Sequence, residues 1–437
     1  MYKHIVLVAA ATLLLSTLFF AQGPNVSDPG VRMGEEGAGR PIGGLTANQT
    51  AFFNAGSTAF QEVDTVAGGL GPRFNLNSCA GCHAQPAVGG SSPAQNPQVG
   101  GGVAPASQIN NLVNLGLISA NGPVREVRFK SDGGVHDLFV ITGMAGTPVG
   151  CFIVQPNFAA NLNNIIFRIP TPTFGAGLIE GIPDARLLAN QIFPKPFGIR
   201  GHVNRNGNDG TITRFGWKAQ NKSLLLFAGE AYNVEQGISN ELFQQERGEG
   251  GIPDPFCDPI PDSNDTTNFD ATTVTSVPSD VEHFAQFMRF LDQPRPACTV
   301  NVNCSASINA GFTSFQQIGC AVCHTPSMQT DTSRIAALNL VQANLFSDLL
   351  VHNMGLLGDG IGQGAAGPNE FRTAPLWGVG QRMFFLHDGR TTNLVQAIEE
   401  HAQGGQDNGS EASQVIQNFN ALTPTQRQNI INFLRSL

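Results

Sequence analysis

The sequence reads CAGCH at residues 79–83 and CAVCH at residues 320–324. In each stretch a histidine directly follows the second of two cysteines that are separated by two other residues. With 8 Cys and 9 His among 437 residues, chance would produce this pattern roughly 0.003 times in such a chain. Two occurrences therefore indicate a chemical requirement for this spacing.

The Cys-x-x-Cys-His spacing is the template for covalent attachment of haem c. The two thiols can bond the two vinyl groups of one haem, and the adjacent imidazole then lies beneath the iron. A disulfide redox motif and a zinc site are the alternatives, but neither explains a histidine at the same place in both copies. We predict two covalently attached haem c groups, held by Cys79, Cys82, His83, Cys320, Cys323 and His324.

An apolar helix is predicted before each motif. Residues 45–60 carry apolar pairs at 52–53 and 59–60, about two helical turns apart. Residues 308–318 carry apolar side chains at i, i+4, i+7 and i+10, on one face of a helix. The two halves of the chain thus repeat one unit, an apolar helix followed by a haem-attachment sequence.

Other segments have clear local signals. Residues 124–130 and 136–142 are predicted to be short strands, because β-branched residues there are bounded by Gly. A helix is predicted over 280–291, with Ser279 and Glu282 forming a capping box at its start.

The last helix is predicted to begin at Thr423, with Pro424 in its first turn and Gln426 completing a capping box. Pro294 follows the 280–291 helix, and we place a domain boundary there. The predicted fold class is mainly α, with two cytochrome c-like haem domains, loop-rich insertions and a few short β-strands in the first domain. The predicted divisions are a signal peptide over 1–21, an N-terminal haem domain over 22–293 and a C-terminal haem domain over 294–437.

The first residues predict export. Lys3 and His4 precede an uncharged run over 5–20, and Ala21-Gln22 offers a cleavage site, which is the layout of a secretory signal peptide. A membrane anchor is the alternative, but the run is short beside the ~20 apolar residues that a span requires. We therefore expect a periplasmic protein with no membrane span after cleavage.

Composition narrows the classes of partner and fold. A net charge of −9 argues against a nucleic-acid partner. The 51 Gly, 27 Pro and 13% charged residues indicate a loop-rich chain, while 41% hydrophobic residues permit sizeable cores. In an oxidising compartment the cysteines outside the motifs are expected to pair, with three connectivities open and buried free thiols as the alternative. These cysteines are Cys151, Cys257, Cys298 and Cys304.

Longer motifs resemble a known superfamily. FRTAPLW at 371–377 and FLHDGR at 385–390 resemble the tail of the bacterial di-haem cytochrome c peroxidases. GAGLIEGIPD at 175–184, GWKAQ at 216–220 and VHNMG at 351–355 resemble one branch, the di-haem oxidoreductases labelled peroxidases or "thiol oxidoreductases". The resemblance covers nearly the whole mature chain. The residues give the thiol label no support, because the cysteines outside the haem motifs form no Cys-x-x-Cys pair.

The resemblance implies roles for three residues. Trp217 would relay electrons between the haems, and Glu235 would move a proton from the near to the far peroxide oxygen so that water leaves. Glu180 is a second candidate carboxylate. A core Trp and an exposed helix-cap carboxylate are the structural alternatives for the first two. The acid–base Gln of the peroxidases is not matched, because Leu226 or Phe227 occupies its position.

The resemblance also implies the axial ligands. His401 stands where the peroxidases have the distal Met of the electron-transfer haem, so the iron ligands would be His83, His324 and His401. A bis-His second haem would have a lower potential than a His/Met haem. A solvated helix-end histidine is the alternative for His401. No His follows the first motif before His136, so we expect the first haem to be open or loosely capped by water.

A calcium ion between the domains is common in the superfamily. The loop over 204–210 offers oxygen ligands around two Gly, but it lacks the full carboxylate set of a calcium loop. Calcium is therefore a candidate ligand, with a plain turn as the alternative.

The leading hypothesis is a periplasmic di-haem oxidoreductase of cytochrome c peroxidase type. Hydrogen peroxide or a similar small oxidant would be reduced at the N-terminal haem. Electrons would enter through the C-terminal haem from a small donor protein, a cytochrome c or a cupredoxin. A di-haem oxygenase or protein-modifying oxidase is the second hypothesis, and a plain electron-transfer cytochrome with both haems six-coordinate is the third.

Overall fold

The structure is a computed structural model that describes residues 26–34, 37–252, 254, 256–258, 260, 264–402 and 409–437. The predicted signal peptide over 1–21 lies outside the described residues. Within those residues, no helix has the length and apolar character needed to cross a membrane.

Twelve α-helices and ten short β-strands form within the described residues. The helices are α1 (Ala47–Phe60), α2 (Cys79–Cys82), α3 (Ala106–Asn114), α4 (Phe158–Asn161), α5 (Ala176–Gly181), α6 (Asp184–Asn190), α7 (Leu224–Glu235), α8 (Asp280–Phe290), α9 (Ala306–Gln317), α10 (Leu394–Glu399), α11 (Ser413–Ala421) and α12 (Pro424–Ser436). The strands are β1 (Arg73–Phe74), β2 (Glu126–Phe129), β3 (Phe139–Val140), β4 (Ile165–Arg168), β5 (Asn204–Arg205), β6 (Ile212–Thr213), β7 (Met328–Gln329), β8 (Gln342–Ala343), β9 (Val351–Asn353) and β10 (Glu370–Arg372).

The prediction of a mainly α fold is confirmed. The strands pair two by two in antiparallel ribbons, β1 with β3, β2 with β4, β5 with β6, β7 with β8 and β9 with β10. The two predicted strand segments contain β2 and β3. Short strands are not confined to the N-terminal part, because β7 to β10 lie beyond the predicted domain boundary.

The helix before each motif packs against a later helix, α1 against α8 and α9 against α12. Both crossings are made at a glycine. A Cβ atom on Gly56 of α1 would lie 2.4 Å from the carbonyl oxygen of His283, and one on Gly311 of α9 would lie 2.0 Å from that of Asn429. No side chain fits in such a gap, so the two backbones can touch only because these residues are glycines.

An aromatic pair follows each glycine contact. The ring centroids of Phe60 and Phe287 are 4.9 Å apart in the first pair of helices, and those of Phe315 and Phe433 are 5.4 Å apart in the second. The predicted repeat of a helix and a motif is therefore a repeat in three dimensions, and it includes the closing helix of each half.

The ends of two predicted helices had different outcomes. The capping box of α12 is confirmed, since Thr423 accepts from the Gln426 backbone and Gln426 reciprocates. The capping box predicted for α8 is wrong, because the Ser279 side chain makes no capping hydrogen bond. The carboxylate of Asp265 accepts from the backbone N–H groups of Asp280 and Val281 instead. The N-terminus of α8 is therefore capped by Asp265, which lies outside the helix in the sequence.

Three large hydrophobic cores hold the fold together. One lies within the first half and includes Phe74, Phe139 and Phe158, and another joins α9 and α12 with Phe419. The remaining large core combines α1, α5, α7 and α8 with Trp377 and apolar side chains between 328 and 350. The boundary at residues 293 and 294 stays a prediction, and this core extends across it.

Two disulfides are present, Cys151–Cys257 and Cys298–Cys304. The pairing expected of the four cysteines outside the motifs is therefore found, with one long and one short loop. The four motif cysteines are free thiols and remain available for attachment chemistry.

A buried ion cluster connects residues on both sides of the predicted boundary. The Asp359 carboxylate lies 2.6 Å from Nη2 of Arg168 and 3.1 Å from Nζ of Lys218. All three side chains are at most 3% exposed. Burial lowers the pKa of Lys218 to about 8, although Asp359 opposes this change. Asp359 is thus the counter-charge for two buried cations.

We predict that Asp359→Asn lowers the free energy of unfolding by about 3–5 kcal/mol, because two buried cations lose their counter-charge. Denaturant unfolding of the purified protein measures this change. Asp209→Asn is the matched control, since it removes a carboxylate from an exposed pair with Lys222 and should leave the unfolding midpoint unchanged. A midpoint that stays the same in Asp359→Asn would contradict the prediction.

Candidate functional site

A cavity of about 1200 Å³, partly open to solvent, adjoins the first motif and is called cavity 1. Cys79, Cys82 and His83 all line it. Its opposite walls come from β2, from β4 and the loop that follows it, from residues 216–220, and from α7 and α8. Cavity 1 therefore places the attachment residues beside an open space between several elements, as a large cofactor needs.

His83 is oriented as a metal ligand. Its Nδ1 atom lies 2.9 Å from the carbonyl oxygen of Gly90, so an N–H there donates to the backbone and Nε2 is the nitrogen that a metal would use, with the backbone of Thr171 also within hydrogen-bonding reach of the ring. Burial lowers the pKa of His83, which keeps the imidazole neutral. The Phe60 ring lies against it, with centroids 5.9 Å apart. The residues of the first motif thus fit a haem.

The wall of cavity 1 also carries ionisable groups. Glu126 on β2 and Glu235 at the end of α7 both line the cavity, and their carboxyl groups meet within hydrogen-bonding reach. Burial and the charge of Glu126 raise the pKa of Glu235 well above its usual range. Burial opposes ionisation of Glu126 too, but Arg128, the hydrogen bond with Glu235 and the charge of Arg168 together outweigh it and lower the pKa of that carboxyl. The opposite pKa shifts favour a protonated Glu235 beside an ionised Glu126.

Glu126 and Arg128 were missed in the sequence, although a signal was present. In β2 these two residues alternate with buried Val127 and Phe129. Alternation in a strand puts both charged side chains on one face and the apolar ones on the other. Two charges on one face of a short, half-buried strand were therefore a clue to a polar cavity wall.

The position of the missing Gln is also on this wall. Of the two residues that the resemblance places at the Gln position, Phe227 lines cavity 1 and Leu226 does not. The amide side chain of Gln220 and the carboxylate of Glu230 line the same cavity. Cavity 1 thus keeps polar groups on this side, although none is at the expected position.

Glu180 is placed differently. Its Oε2 accepts from Nε of Arg289 at 2.7 Å, and its Oε1 accepts from the backbone N–H of Leu224 at the start of α7. Glu180 does not line either of the two large cavities described here. The structure brings Glu235 to the first motif but not Glu180, to which we assign no acid–base role.

A second cavity of about 1420 Å³, called cavity 2, adjoins the second motif. Cys320, Cys323 and His324 line it, and most of its other walls are apolar. Nδ1 of His324 lies 3.0 Å from the carbonyl oxygen of Phe346, which again leaves Nε2 as the free lone pair. Burial, with a contribution from His401, lowers the pKa of His324 to about 4.

His401 lies opposite His324 in cavity 2. The two ring centroids are 6.4 Å apart, and Nδ1 of His401 lies 2.8 Å from the carbonyl oxygen of Ala397. Two imidazole nitrogens that share one metal ion at about 2.0–2.1 Å each place their ring centroids about 6 Å apart. The residues of the second motif and His401 therefore fit a haem iron held from both sides, and this ligand pair stays a prediction.

Two arginines beside cavity 2 have buried nitrogen atoms with no hydrogen-bond partner in the part of the chain that the structure describes. Arg372 Nη1 and Arg382 Nε and Nη2 have no hydrogen-bond partner among the described residues. Burial lowers the pKa of each guanidinium to about 10. Both side chains line cavity 2, and such groups call for a carboxylate. The propionates of a haem are carboxylates, so these arginines are a second, independent sign that cavity 2 fits a haem.

Trp217 lies between the two cavities and lines both. Its Nε1 donates to the carbonyl oxygen of Ile169 at 2.8 Å, and the Arg382 guanidinium lies 5.8 Å from the ring centroid. The next residue, Lys218, is anchored in the buried ion cluster. The resemblance implies that Trp217 lies between two cofactors. In the structure, its ring lies between the two cavities.

The candidate calcium loop is the turn between β5 and β6. There the Asp209 carboxylate pairs with Lys222 and accepts from the Thr211 hydroxyl. The Asn206 side chain accepts from the backbone N–H of Asn208. Among the described residues, no three His, Cys, Asp or Glu converge as a metal site would require. Asp209 and Asn206 thus already have partners in this structure, and calcium at this loop stays a prediction.

Comparison with known proteins points to one family. The model of a family described as "Di-haem oxidoreductase, putative peroxidase" matches residues 154–437, which is more than half of the chain. No curated protein matches. A solved structure of hydrazine synthase from Kuenenia stuttgartiensis, studied under xenon pressure, is similar over 100% of both chains with 10% identity and a TM-score of 0.35. That structural likeness is too weak to carry an argument.

We predict that the ferric, haem-loaded protein gives one high-spin and one low-spin electron paramagnetic resonance signal. His401→Ala should convert the low-spin signal to high spin, because the iron at His324 loses its second imidazole. His387→Gln is the matched control, since His387 is a buried histidine of cavity 2 that stacks on Phe371 instead of facing His324. An unchanged low-spin signal in His401→Ala would exclude His401 as a ligand.

Proposed function

Because the chain belongs to the di-haem oxidoreductase family, we propose that it is a periplasmic enzyme that reduces hydrogen peroxide or a similar small oxidant in cavity 1. Electrons would come from a small donor protein and enter at cavity 2. The observation that carries this proposal is the difference between the cavities. Cavity 1 faces ionisable groups, including Glu235, whereas cavity 2 is mostly apolar and has a histidine on each side.

Two haem c groups are the cofactors implied by the family and by the two motifs. Cys79, Cys82 and His83 would hold the first. The second would be held by Cys320, Cys323, His324 and His401, with Arg372 and Arg382 available for its propionates. When bound, the haems supply the redox chemistry, and the protein supplies position, proton control and exclusion of water.

Glu235 supports peroxide reduction because it holds a proton inside the cavity. Reduction of one hydrogen peroxide consumes two electrons and two protons and yields two waters. Burial and the charge of Glu126 raise the pKa of Glu235, which favours the protonated carboxyl that can donate to the departing oxygen. Asn75 fixes its orientation by donating from Nδ2 to Oε2 at 3.0 Å.

Trp217 and the surroundings of cavity 2 support electron transfer from a donor. The indole touches both cavities and is held by its hydrogen bond to Ile169, so it offers a fixed aromatic bridge. Two opposed histidines at cavity 2 suit a cofactor that exchanges electrons without binding substrate. A small cytochrome c or a cupredoxin is the donor class that we propose. The apolar run over 5–20 supports export to the periplasm.

One observation favours a second function. Of the two residues at the position of the acid–base Gln of the peroxidases, the one that lines cavity 1 is Phe227. A less polar wall suits oxidation of a dedicated partner or substrate, as in a di-haem oxygenase or a protein-modifying oxidase. We rank this function second, because Glu235 is present in the same cavity.

The first test is steady-state turnover of the haem-loaded protein with hydrogen peroxide and a reduced small cytochrome. We expect donor oxidation that falls by a factor of about 10²–10⁴ in Glu235→Gln, which is the usual contribution of one acid–base group. Glu246→Gln is the matched control, because Glu246 is also buried with a raised pKa but lies outside cavity 1. Absence of turnover in the unmodified protein would exclude the peroxidase function and favour the dedicated substrate.

The covalent attachment of both haems is tested by mass spectrometry of the denatured protein. We expect two covalently bound haems, and one in the double variant Cys79→Ser with Cys82→Ser, because thioethers form only from thiols. The double variant Cys151→Ser with Cys257→Ser removes a disulfide and should keep both haems. If the first double variant still carried two covalently bound haems, attachment at residues 79–83 would be contradicted.

A further inference from the structure

Glu126 was not predicted as part of the site, yet its carboxyl group contacts that of Glu235. The two carboxyl groups lie on different elements, β2 and the end of α7, and meet in the wall of cavity 1. Two carboxylates in contact cannot both ionise at ordinary pH, because the like charges repel. One proton is therefore held by the pair.

The surroundings decide which carboxyl keeps that proton. Nε of Arg128 donates to Oε1 of Glu126 at 2.6 Å, and Arg168 adds a second positive charge on the same side. Glu235 accepts no hydrogen bond from a cation among the described residues, although the charge of Arg128 also acts on it. Its neighbours are the Asn75 amide at 3.0 Å and the buried Asp137 carboxyl, which accepts from the same amide at 3.1 Å.

The remaining charged groups around the pair agree with this assignment. Glu230 also lines the cavity, and its Oε2 accepts from the Asn221 amide. Burial raises the pKa of Asp137 to about 7, although Arg247 and Arg73 oppose this. Of the two carboxyls, only Glu126 accepts a hydrogen bond from a cation among the described residues, which favours the ionised form there.

We propose that Glu126 is a positioning residue that keeps the acid proton on Glu235, with Arg128 holding Glu126 ionised. Environments that separate two adjoining carboxyls in this way divide them into an acid and a permanent anion. This inference rests on the proposed function, since it concerns the proton that Glu235 delivers to the departing oxygen. It also explains how the cavity handles protons although the acid–base Gln of the peroxidases is not matched.

The proton balance assigns each group its share. Of the two protons consumed per peroxide, one is the proton that the pair holds on Glu235. The other comes from solvent, which also restores the proton of Glu235 after each cycle. Glu126 itself gains and loses no proton in the cycle, because the ion pair with Arg128 persists.

The test follows the C=O stretch of protonated carboxyls by infrared difference spectroscopy of the haem-loaded protein during a pH titration. The band that Glu235→Gln removes belongs to Glu235, and we expect it to disappear only at alkaline pH. Glu126→Gln should move that disappearance to lower pH by about one unit or more, a factor of roughly 10 in proton concentration. Removing Glu126 takes away the repulsion and leaves Arg128 free to stabilise an ionised Glu235.

Glu126→Asp and Glu246→Gln are the controls. Glu126→Asp keeps the charge but withdraws it by one methylene, so its midpoint should lie between those of Glu126→Gln and the unmodified protein. It also keeps the test decisive if Glu126→Gln does not fold. Glu246→Gln removes a band of its own and should leave the midpoint of Glu235 unchanged.

Three outcomes would overturn the inference. They are a Glu235 band absent at neutral pH, a midpoint unchanged in both Glu126 variants, or an equal shift in Glu246→Gln. None of these depends on turnover. A protein that shows the band and its shift but reduces no peroxide would refute the proposed function and leave the carboxyl pair established. In an active protein, the pH above which turnover is lost should be lower in Glu126→Gln, by the same amount as the pH at which the Glu235 band disappears.

Discussion

The contact of two helix backbones at a glycine is the constraint on which both halves of this protein depend. At Gly56 and at Gly311 the helix before the motif touches a carbonyl of its closing helix, with no room for a methyl group. This contact brings Phe60 and Phe315 against the closing helices and beside the motif histidines. A larger residue at either glycine would separate the helices and move the wall that supports the imidazole. The repeated unit is thus defined by a distance between backbones as well as by a motif.

Within this shared frame the two halves differ in what faces the motif histidine. The second half presents an imidazole on the opposite side and apolar walls around it. The first half presents carboxyls, amides and guanidinium groups contributed by a strand, a helix and loops. Under the proposed function, the same attachment motif would therefore serve two purposes. The difference arises from residues far from the motifs in sequence, and the same cofactor would acquire different properties from different surroundings.

Local signals predicted much of the fold. The sequence predicted the two motifs, α1, α9 and α12 with its capping box, because periodicity and capping depend on residues that are near neighbours in the chain. The cap of α8 was not, since Asp265 reaches it from outside the helix. Asp359 and Arg168 are 191 positions apart, and no local pattern pairs them. Glu235 was identified through resemblance, whereas its partner Glu126 was missed. Only the fold brings a strand residue of the first core to the end of α7.

The unpaired guanidinium groups of Arg372 and Arg382 have a consequence for maturation of the chain. Burying two cations without a matching anion costs free energy, so the C-terminal half closes poorly on its own. An incoming cofactor with two carboxylates offsets that cost, and a ligand bound only by the native state stabilises that state. Cofactor loading and folding are then one thermodynamic event. A chain that takes up this cofactor would thereby gain its redox centre and part of its folding free energy in the same step.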